Sequence, residues 1–250
     1  MVTVKSEREI ELMRAAGLTT ARILDAMCQM AKPGVSTWDL DHLAETMCKE
    51  AGVTPAFKGY HGFPACVCIS VNDEVVHGIP SKKRVLKDGD IVGLDFGVIK
   101  DGWYGDTARS VAIGKVAPEA EKLLKITQES LLRGIAEAKP GNRVFDIGHA
   151  VQAHAEAAGF SVVREFVGHG IGRALHEDPQ VPNYGPKGKG MVLKTGMVLA
   201  IEPMINAGRP DVRVLQDGWT AVTTDKSLSA HFEHTVAITE NGPVILTALA

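Results

Sequence analysis

Two carboxylates interrupt two apolar runs at matching places in this chain. Asp95 stands inside Ile91-Val92-Gly93-Leu94-Asp95-Phe96-Gly97, and Glu202 inside Val198-Leu199-Ala200-Ile201-Glu202-Pro203-Met204. A buried carboxylate without a partner is costly. The same cost at the same place in both runs asks for a shared counter-charge, which a metal ion would supply. The competing reading is a pair of structural carboxylates capped by backbone amides. Asp106 follows Asp95 by eleven residues (106 − 95). Asp101-Gly102 between them is a hairpin-turn signal that would return Asp106 to the side of Asp95. Glu233 precedes the apolar Val236-Ala237-Ile238, and His169 lies in Gly168-His169-Gly170-Ile171-Gly172, where glycines permit close approach of the backbone. One histidine and four carboxylates form a hard, oxygen-rich ligand set. It suits Mn²⁺, Fe²⁺, Co²⁺ or Mg²⁺ better than a thiolate-rich or three-histidine zinc site would. Four negative charges balance two divalent ions, so a dinuclear centre with bridging carboxylates is expected.

The elements that must position these residues occur twice. Ala31-Lys32-Pro33-Gly34 returns as Ala138-Lys139-Pro140-Gly141, an offset of 107 residues (138 − 31). At the same offset Asp39 meets Asp146, His42 meets His149, and Val85-Leu86-Lys87 meets Val192-Leu193-Lys194. Asp95 then meets Glu202. One offset linking separated blocks indicates two halves built on one plan. Each half opens with an amphipathic helix, Ser6 to Ala31 and Glu119 to Ala138, ended by Lys-Pro-Gly because proline cannot continue a helix. Second helices are expected over Thr37 to Ala51 and Val144 to Ala158, ended by Gly52 and Gly159. Strands are expected over Ala65–Val71, Asp90–Ile99, Thr107–Ile113, Val162–Phe166, Met197–Ile205, Thr220–Thr223 and His234–Thr239. Gly-rich loops are expected at Lys58–Pro64, His77–Ser81, Gly168–Gly172 and Tyr184–Gly190. No linker divides the chain. One α/β domain over residues 1–250 is therefore expected, with pseudo-repeat halves of about 1–113 and 114–250 and a site where they meet.

Composition narrows the function classes. The chain has 250 residues, 45% hydrophobic and 23% charged, which excludes disorder. Thirty acidic residues against 27 basic ones argue against a nucleic-acid binder, as do aromatics at 5%. Cys28, Cys48, Cys66 and Cys68 form no C-x-x-C pair. The opening MVTVKSEREI lacks the apolar core of a secretory signal, and no apolar run approaches the ~20 residues that span a bilayer. A cytoplasmic protein without a membrane partner is expected. Nothing in the pattern demands a dimer, so a monomer is expected. H-E-x-x-H, G-x-S-x-G and G-x-G-x-x-G are all absent, which argues against zincins, serine hydrolases and dinucleotide binding. His42 and His149, at matching helix positions, read as packing residues, and His154 and His231 as residues without a functional role.

The motifs together resemble the type I methionine aminopeptidases in their short bacterial form. They are Val76-His77-Gly78-Ile79-Pro80, Gly105-Asp106-Thr107, Gly168-His169-Gly170-Ile171-Gly172-Arg173, His176-Glu177, Ile201-Glu202-Pro203-Met204, Gln216-Asp217-Gly218-Trp219 and Phe232-Glu233-His234-Thr235. The resemblance implies the duplicated pita-bread fold, with pseudo-twofold halves, a curved antiparallel sheet and helices on its outer face. It implies that Asp95 serves one metal, His169 with Glu202 the other, and that Asp106 and Glu233 bridge. It assigns His176 to the oxyanion, His77 to substrate contact and proton transfer, and Glu202 to the proton of the attacking water. Removal of initiator methionine from nascent polypeptide N-termini, with a small second residue preferred, follows from the same resemblance. A ribosome-docked setting and a monovalent cation near Asn72 and Ser229 follow from it too. The methionine pocket maps to Phe57, Tyr60, His61, Phe63, Cys68, Leu175 and Trp219, an apolar and sulfur-bearing wall suited to a thioether. Phe57 stands where relatives carry a smaller cysteine, and Leu175 where an aromatic is usual. A proline-directed peptidase of the same fold, or a non-catalytic binding protein, are the alternatives.

Overall fold

Serine caps start the two helices of the first half. In a computed structural model describing residues 2–249, Ser6 and Glu9 form a capping box at the start of α1 (Glu7–Met30). Ser36 and Asp39 do the same for α2 (Thr37–Ala51), which ends on Gly52 at φ 64°. The strands of this half follow: β1 (Thr54–Pro55), β2 (Val67–Val71), β3 (Glu74–Val76), β4 (Ile91–Lys100) and β5 (Trp103–Ala112). The second half repeats the order. Pro118 opens α3 (Pro118–Glu137), and Asp146 accepts from the Arg143 amide at 2.7 Å to start α4 (Val144–Ala157). Then come β6 (Ser161–Val162), β7 (Gly168–Gly170), β8 (Glu177–Val181), β9 (Val198–Ile201) and β10 (Met204–Asn206). The chain closes with β11 (Val212–Val214), β12 (Ala221–Thr223), β13 (Ser229–His231), β14 (His234–Thr239) and β15 (Gly242–Ile245).

The repeated residues do the same structural work twice. Gly34 at φ 92° donates to Leu86 O at 2.9 Å, and Gly141 at φ 91° donates to Leu193 O at 3.0 Å. Single bridges pair Ser36 with Val85 and Arg143 with Val192. Each pair is related by the offset seen in the sequence.

Every pairing among the described strands is antiparallel. The order β1–β4–β2, with β5 on β4, forms one sheet, and β15–β14–β9–β7–β8 forms its counterpart. Apolar side chains of α1 and α2 pack with β2 and β4 in one core, and those of α3 and α4 pack with β9 and β14 in another. The halves are sewn together along β5 and residues 231–235. Glu233 and Ala108 exchange backbone hydrogen bonds, at 2.9 and 3.4 Å. The Thr235 hydroxyl accepts from Asp106 N and donates to Asp106 O, and the Ser110 hydroxyl does likewise with His231.

Several boundaries differ from the sequence reading. The strand expected over Val162–Phe166 stops at Val162, and Phe166 turns away from it into the site cavity. The run Met197–Ile205 breaks at Glu202-Pro203, because proline has no N–H to give the ladder. The loop expected over Gly168–Gly172 begins as β7, paired on both sides. The strand expected from Thr107 starts earlier, at Trp103, which puts Asp106 inside it.

Candidate metal centre

The hairpin β4–β5 sets the first two candidate ligands. Asp101 and Gly102 both have positive φ, 51° and 76°, as a type I′ turn requires. The register then pairs Asp95 with Ala108 and Gly97 with Asp106. Because side chains alternate, Asp95 and Asp106 share one face of the ladder. His169 on β7 lies opposite Ala200 of β9, whose chain continues into Glu202. Glu233 immediately precedes β14, which pairs with β9.

These elements converge. Ligand atoms of Asp106, His169 and Glu233 lie within 4.8 Å of one another, and all three residues are buried. His169 Nε2 is 3.4 Å from Glu202 Oε1. Asp95, Asp106, His169, Glu202 and Glu233 all line one cavity of about 270 Å³.

The electrostatics call for a cation. Asp95 Oδ1, Asp106 Oδ1 and Glu233 Oε1 are buried without a hydrogen-bond partner. Burial, with Glu202 alongside, pushes the Asp95 pKa up to about 7. Burial alone raises Glu202 to about 8. Burial and then the neighbouring carboxylates raise Asp106 and Glu233 well above the ordinary range. Burial likewise lowers His169 to about 3, so its ring is neutral. Its Nδ1 lies 2.9 Å from the Gly170 carbonyl, an acceptor, so Nδ1 carries the proton. Nε2 is therefore a bare lone pair facing a carboxylate oxygen. Two acceptors held 3.4 Å apart, beside three partnerless carboxylate oxygens, fit divalent ions.

The family model for metallopeptidase family M24 matches residues 11–240. The chain belongs to that family. Within it, the methionine aminopeptidase of Clostridium acetobutylicum is 53% identical over 247 residues, covering 99% of each chain. The solved methionine aminopeptidase of Thermotoga maritima superposes with a TM-score of 0.98 at 48% identity, each chain covered fully. The prolidase of Pyrococcus horikoshii shares the fold at TM-score 0.80 and 24% identity, this chain covering 64% of its length. The duplicated antiparallel architecture of the M24 chain is thus the pita-bread fold of these peptidases.

Every pocket residue named from the sequence lies on the same cavity. Phe57, Phe63, Cys68 and Leu175 are buried in one apolar cluster. Trp219 packs edge-on against Phe63, with centroids 5.2 Å apart, and its backbone N–H is held by Asp217. Tyr60, His61 and His176 stand at the more exposed side. Partial burial lowers the His176 pKa. His77 adopts φ 60°, packs edge-on against Phe166, and is held by burial at a pKa of about 4. Glu177, beside His176, accepts from the Arg173 amide at 2.8 Å and from Lys5 Nζ at 2.7 Å, which ties the N-terminal segment to the His176 loop. Asn72 and Ser229 adjoin through a 2.9 Å backbone hydrogen bond.

Sequence reasoning missed Val76, Phe166 and Val167 on the cavity wall. It also gave His231 no functional role. His231 is buried, with Nε2 3.6 Å from Glu202 Oε2 and no hydrogen-bond partner. Its period-two spacing from Glu233 on an extended segment was the available signal.

Proposed function

We propose that this chain removes initiator methionine from nascent polypeptides, favouring a small second residue. The observation that carries the reading is the bare His169 Nε2 facing Glu202, beside three orphaned carboxylate oxygens at the end of an apolar pocket. Asp95, Asp106, His169, Glu202 and Glu233 would hold two divalent ions, drawn from Mn²⁺, Fe²⁺ and Co²⁺. Such ions polarise a carbonyl and bring the pKa of a water toward ~7.

The chain's own residues do the rest. Phe57, Phe63, Cys68, Leu175 and Trp219 enclose a thioether side chain and exclude water from it. His176, on the cavity wall against His169, donates a hydrogen bond to the scissile carbonyl oxygen as charge develops there. Glu202, at the end of β9 beside His169, accepts the proton of the attacking water and returns it to the leaving amine. His77, on the same cavity, holds the substrate's backbone. The small cavity supports the preference for a small second residue.

We further read the chain as one catalytic domain of two pseudo-repeat halves, acting as a monomer on chains leaving the ribosome. A monovalent cation beside Asn72 and Ser229 belongs to the same reading. Four cysteines without disulfides support a reducing, cytoplasmic setting, and no described helix is long and apolar enough to cross a membrane.

The test starts from chelator-stripped protein titrated anaerobically with Mn²⁺, Fe²⁺ or Co²⁺. Metal-dependent methionine release from Met-Ala-Ser, with Met-Leu-Ser and Ala-Pro-Ser left intact, is the expected result. Cleavage of Ala-Pro-Ser instead would transfer the chain to the proline-directed peptidases. Silence with every metal would leave a binding protein.

A further inference from the structure

Tyr60 lines the pocket, and its hydroxyl meets another lining residue. The Tyr60 Oη lies 2.7 Å from His176 Nδ1. No other partner of that hydroxyl exists among the described residues. Burial raises the phenol pKa, so the oxygen keeps its proton and must place it somewhere. The lone pair of His176 Nδ1 is the acceptor within reach. If Nδ1 carried the proton instead, the phenol oxygen would accept it and its own hydrogen would be left to solvent, with no protein acceptor among the described residues.

The surroundings hold this arrangement in place. Gly59, His61 and Gly62 all have positive φ, at 85°, 48° and 89°, and they flank Tyr60 in one tight turn. For a histidine that conformation is strained, and such strain persists where neighbours over-determine it. Here Tyr60 N donates to Phe57 O and Phe63 N donates to Tyr60 O, both at 2.9 Å. On its other side the His176 ring meets His169 edge-on, with centroids 4.3 Å apart. The imidazole is thus wedged between Tyr60 and His169.

We propose that Tyr60 is a positioning residue that fixes His176 as the Nε2–H tautomer, so that the ring offers a donor to the scissile carbonyl. A neutral imidazole has one donor and one acceptor nitrogen, and the bond made by one decides the role of the other. With Nδ1 occupied by the phenol, Nε2 is the nitrogen left to carry the hydrogen. A ring free to exchange tautomers would spend part of its time presenting a lone pair to a developing oxyanion, which repels it. The inference rests on the reading of His176 as the oxyanion donor.

The experiment uses the full chain with ¹⁵N-labelled histidine, with and without Zn²⁺, which is diamagnetic. His176 is assigned by its loss in His176→Ala. In the unaltered protein at pH 8, His176 should show a protonated Nε2 and a pyridine-type Nδ1. In Tyr60→Phe, which keeps the ring and removes the hydroxyl, both nitrogens should shift toward averaged values. The kcat for Met-Ala-Ser should fall about tenfold, short of the 10²–10³ that losing a whole oxyanion donor costs. The KM and the metal affinity should stay within about twofold, because the pocket wall is intact. A residue that only walls the pocket would leave the tautomer and kcat unchanged in Tyr60→Phe, and that result overturns the proposal. A proton on Nδ1 in the unaltered protein overturns it without any variant. Full activity in His176→Ala would instead strike the oxyanion reading, while the tautomer spectra still decide what Tyr60 does.

Discussion

The orphaned oxygens of Asp95, Asp106 and Glu233 make a prediction at the scale of one side chain. Asp106→Asn removes one ligand charge and keeps the shape. Divalent-metal affinity, read by titration calorimetry, should fall by more than about a hundredfold, the upper end of what even an outer partner costs. The metal-free variant should melt above the metal-free parent, because one of four crowded carboxylates is gone. Unchanged affinity would remove Asp106 from the ligand set. The pocket carries a second residue-scale prediction. Phe57 and Leu175 are both buried in one cluster, a large residue and a small one where the resemblance implies the reverse. The two exchanges change volume in opposite directions, so one offsets part of the other. Phe57→Cys alone should open a cavity and raise KM for Met-Ala-Ser several-fold. Adding Leu175→Phe should restore part of the loss, as a double-mutant cycle would register. Strict additivity would mean that the two side chains do not share the space.

Asp106 stays beside Asp95 because β5 cannot slide, and α1 is one reason. A Cβ at Gly105 would stand 2.8 Å from Gly17 N and 2.9 Å from Ala16 C, both in the backbone of α1. Backbone cannot give way as a flexible side chain can. Gly105→Ala should therefore cost about 1–3 kcal/mol by overpacking, a fall in Tm of roughly 3–10 °C. Metal affinity should fall with it, since Asp106 is the next residue; an unchanged melt would mean that α1 yields. Lys5 offers a parallel test at the loop of His176. Its ion pair with Glu177 is almost wholly buried, with side chains 5% and 13% exposed. Breaking such a pair costs about 3 kcal/mol. Lys5→Met should lower kcat more than it raises KM, because Glu177 steadies the loop of His176; equal effects on both would deny that link.

These elements also mark what the sequence could disclose. The four helices lie within a residue of expectation, because serine caps, Lys-Pro-Gly stops and Gly52 act locally. The hairpin at Asp101-Gly102 is equally local, and it carries Asp106 with it. The short strands are different. Glu177–Val181 reads Glu-Asp-Pro-Gln-Val, with neither alternation nor an apolar run, and it is a strand because β7 lies beside it. Ser229–His231 likewise takes its form from β10. Phe166 reaches the cavity because β6 stops early, which no local signal states. His231 faced the same limit: its neighbour Glu202 is distant in the chain and close only in the fold.

The whole molecule responds to pH through the same cluster, and the sign can be worked out. In the metal-free protein Asp95 and Glu202 hold pKa values of about 7 and 8, raised above their unfolded values near 4. Above pH 4 the folded state therefore binds more protons than the unfolded chain at these sites. Stability from them is present at low pH and lost as pH rises through 7 and 8. His77, His169 and His234 work the other way. Burial depresses them to about 4, 3 and 4, so the unfolded chain takes up protons first below about 6.5 and stability falls as pH drops. Between pH 4 and 6.5 the two groups oppose one another, and a flat response is expected. Between pH 6.5 and 8.5 the unfolded histidines lose their remaining protons, their opposing effect fades, and the carboxylates dominate. Over that window the metal-free protein should lose about 2 kcal/mol, or roughly 4–8 °C in Tm. Saturating Mn²⁺ should raise Tm and flatten the slope, because bound ions hold the carboxylates ionised at both ends of the window. Differential scanning calorimetry at matched ionic strength, with and without Mn²⁺, reads both slopes. A metal-free Tm that holds constant from pH 6.5 to 8.5 would mean that these carboxylates are not crowded and desolvated as the structure places them. The case for a cation between them would then lose its electrostatic ground.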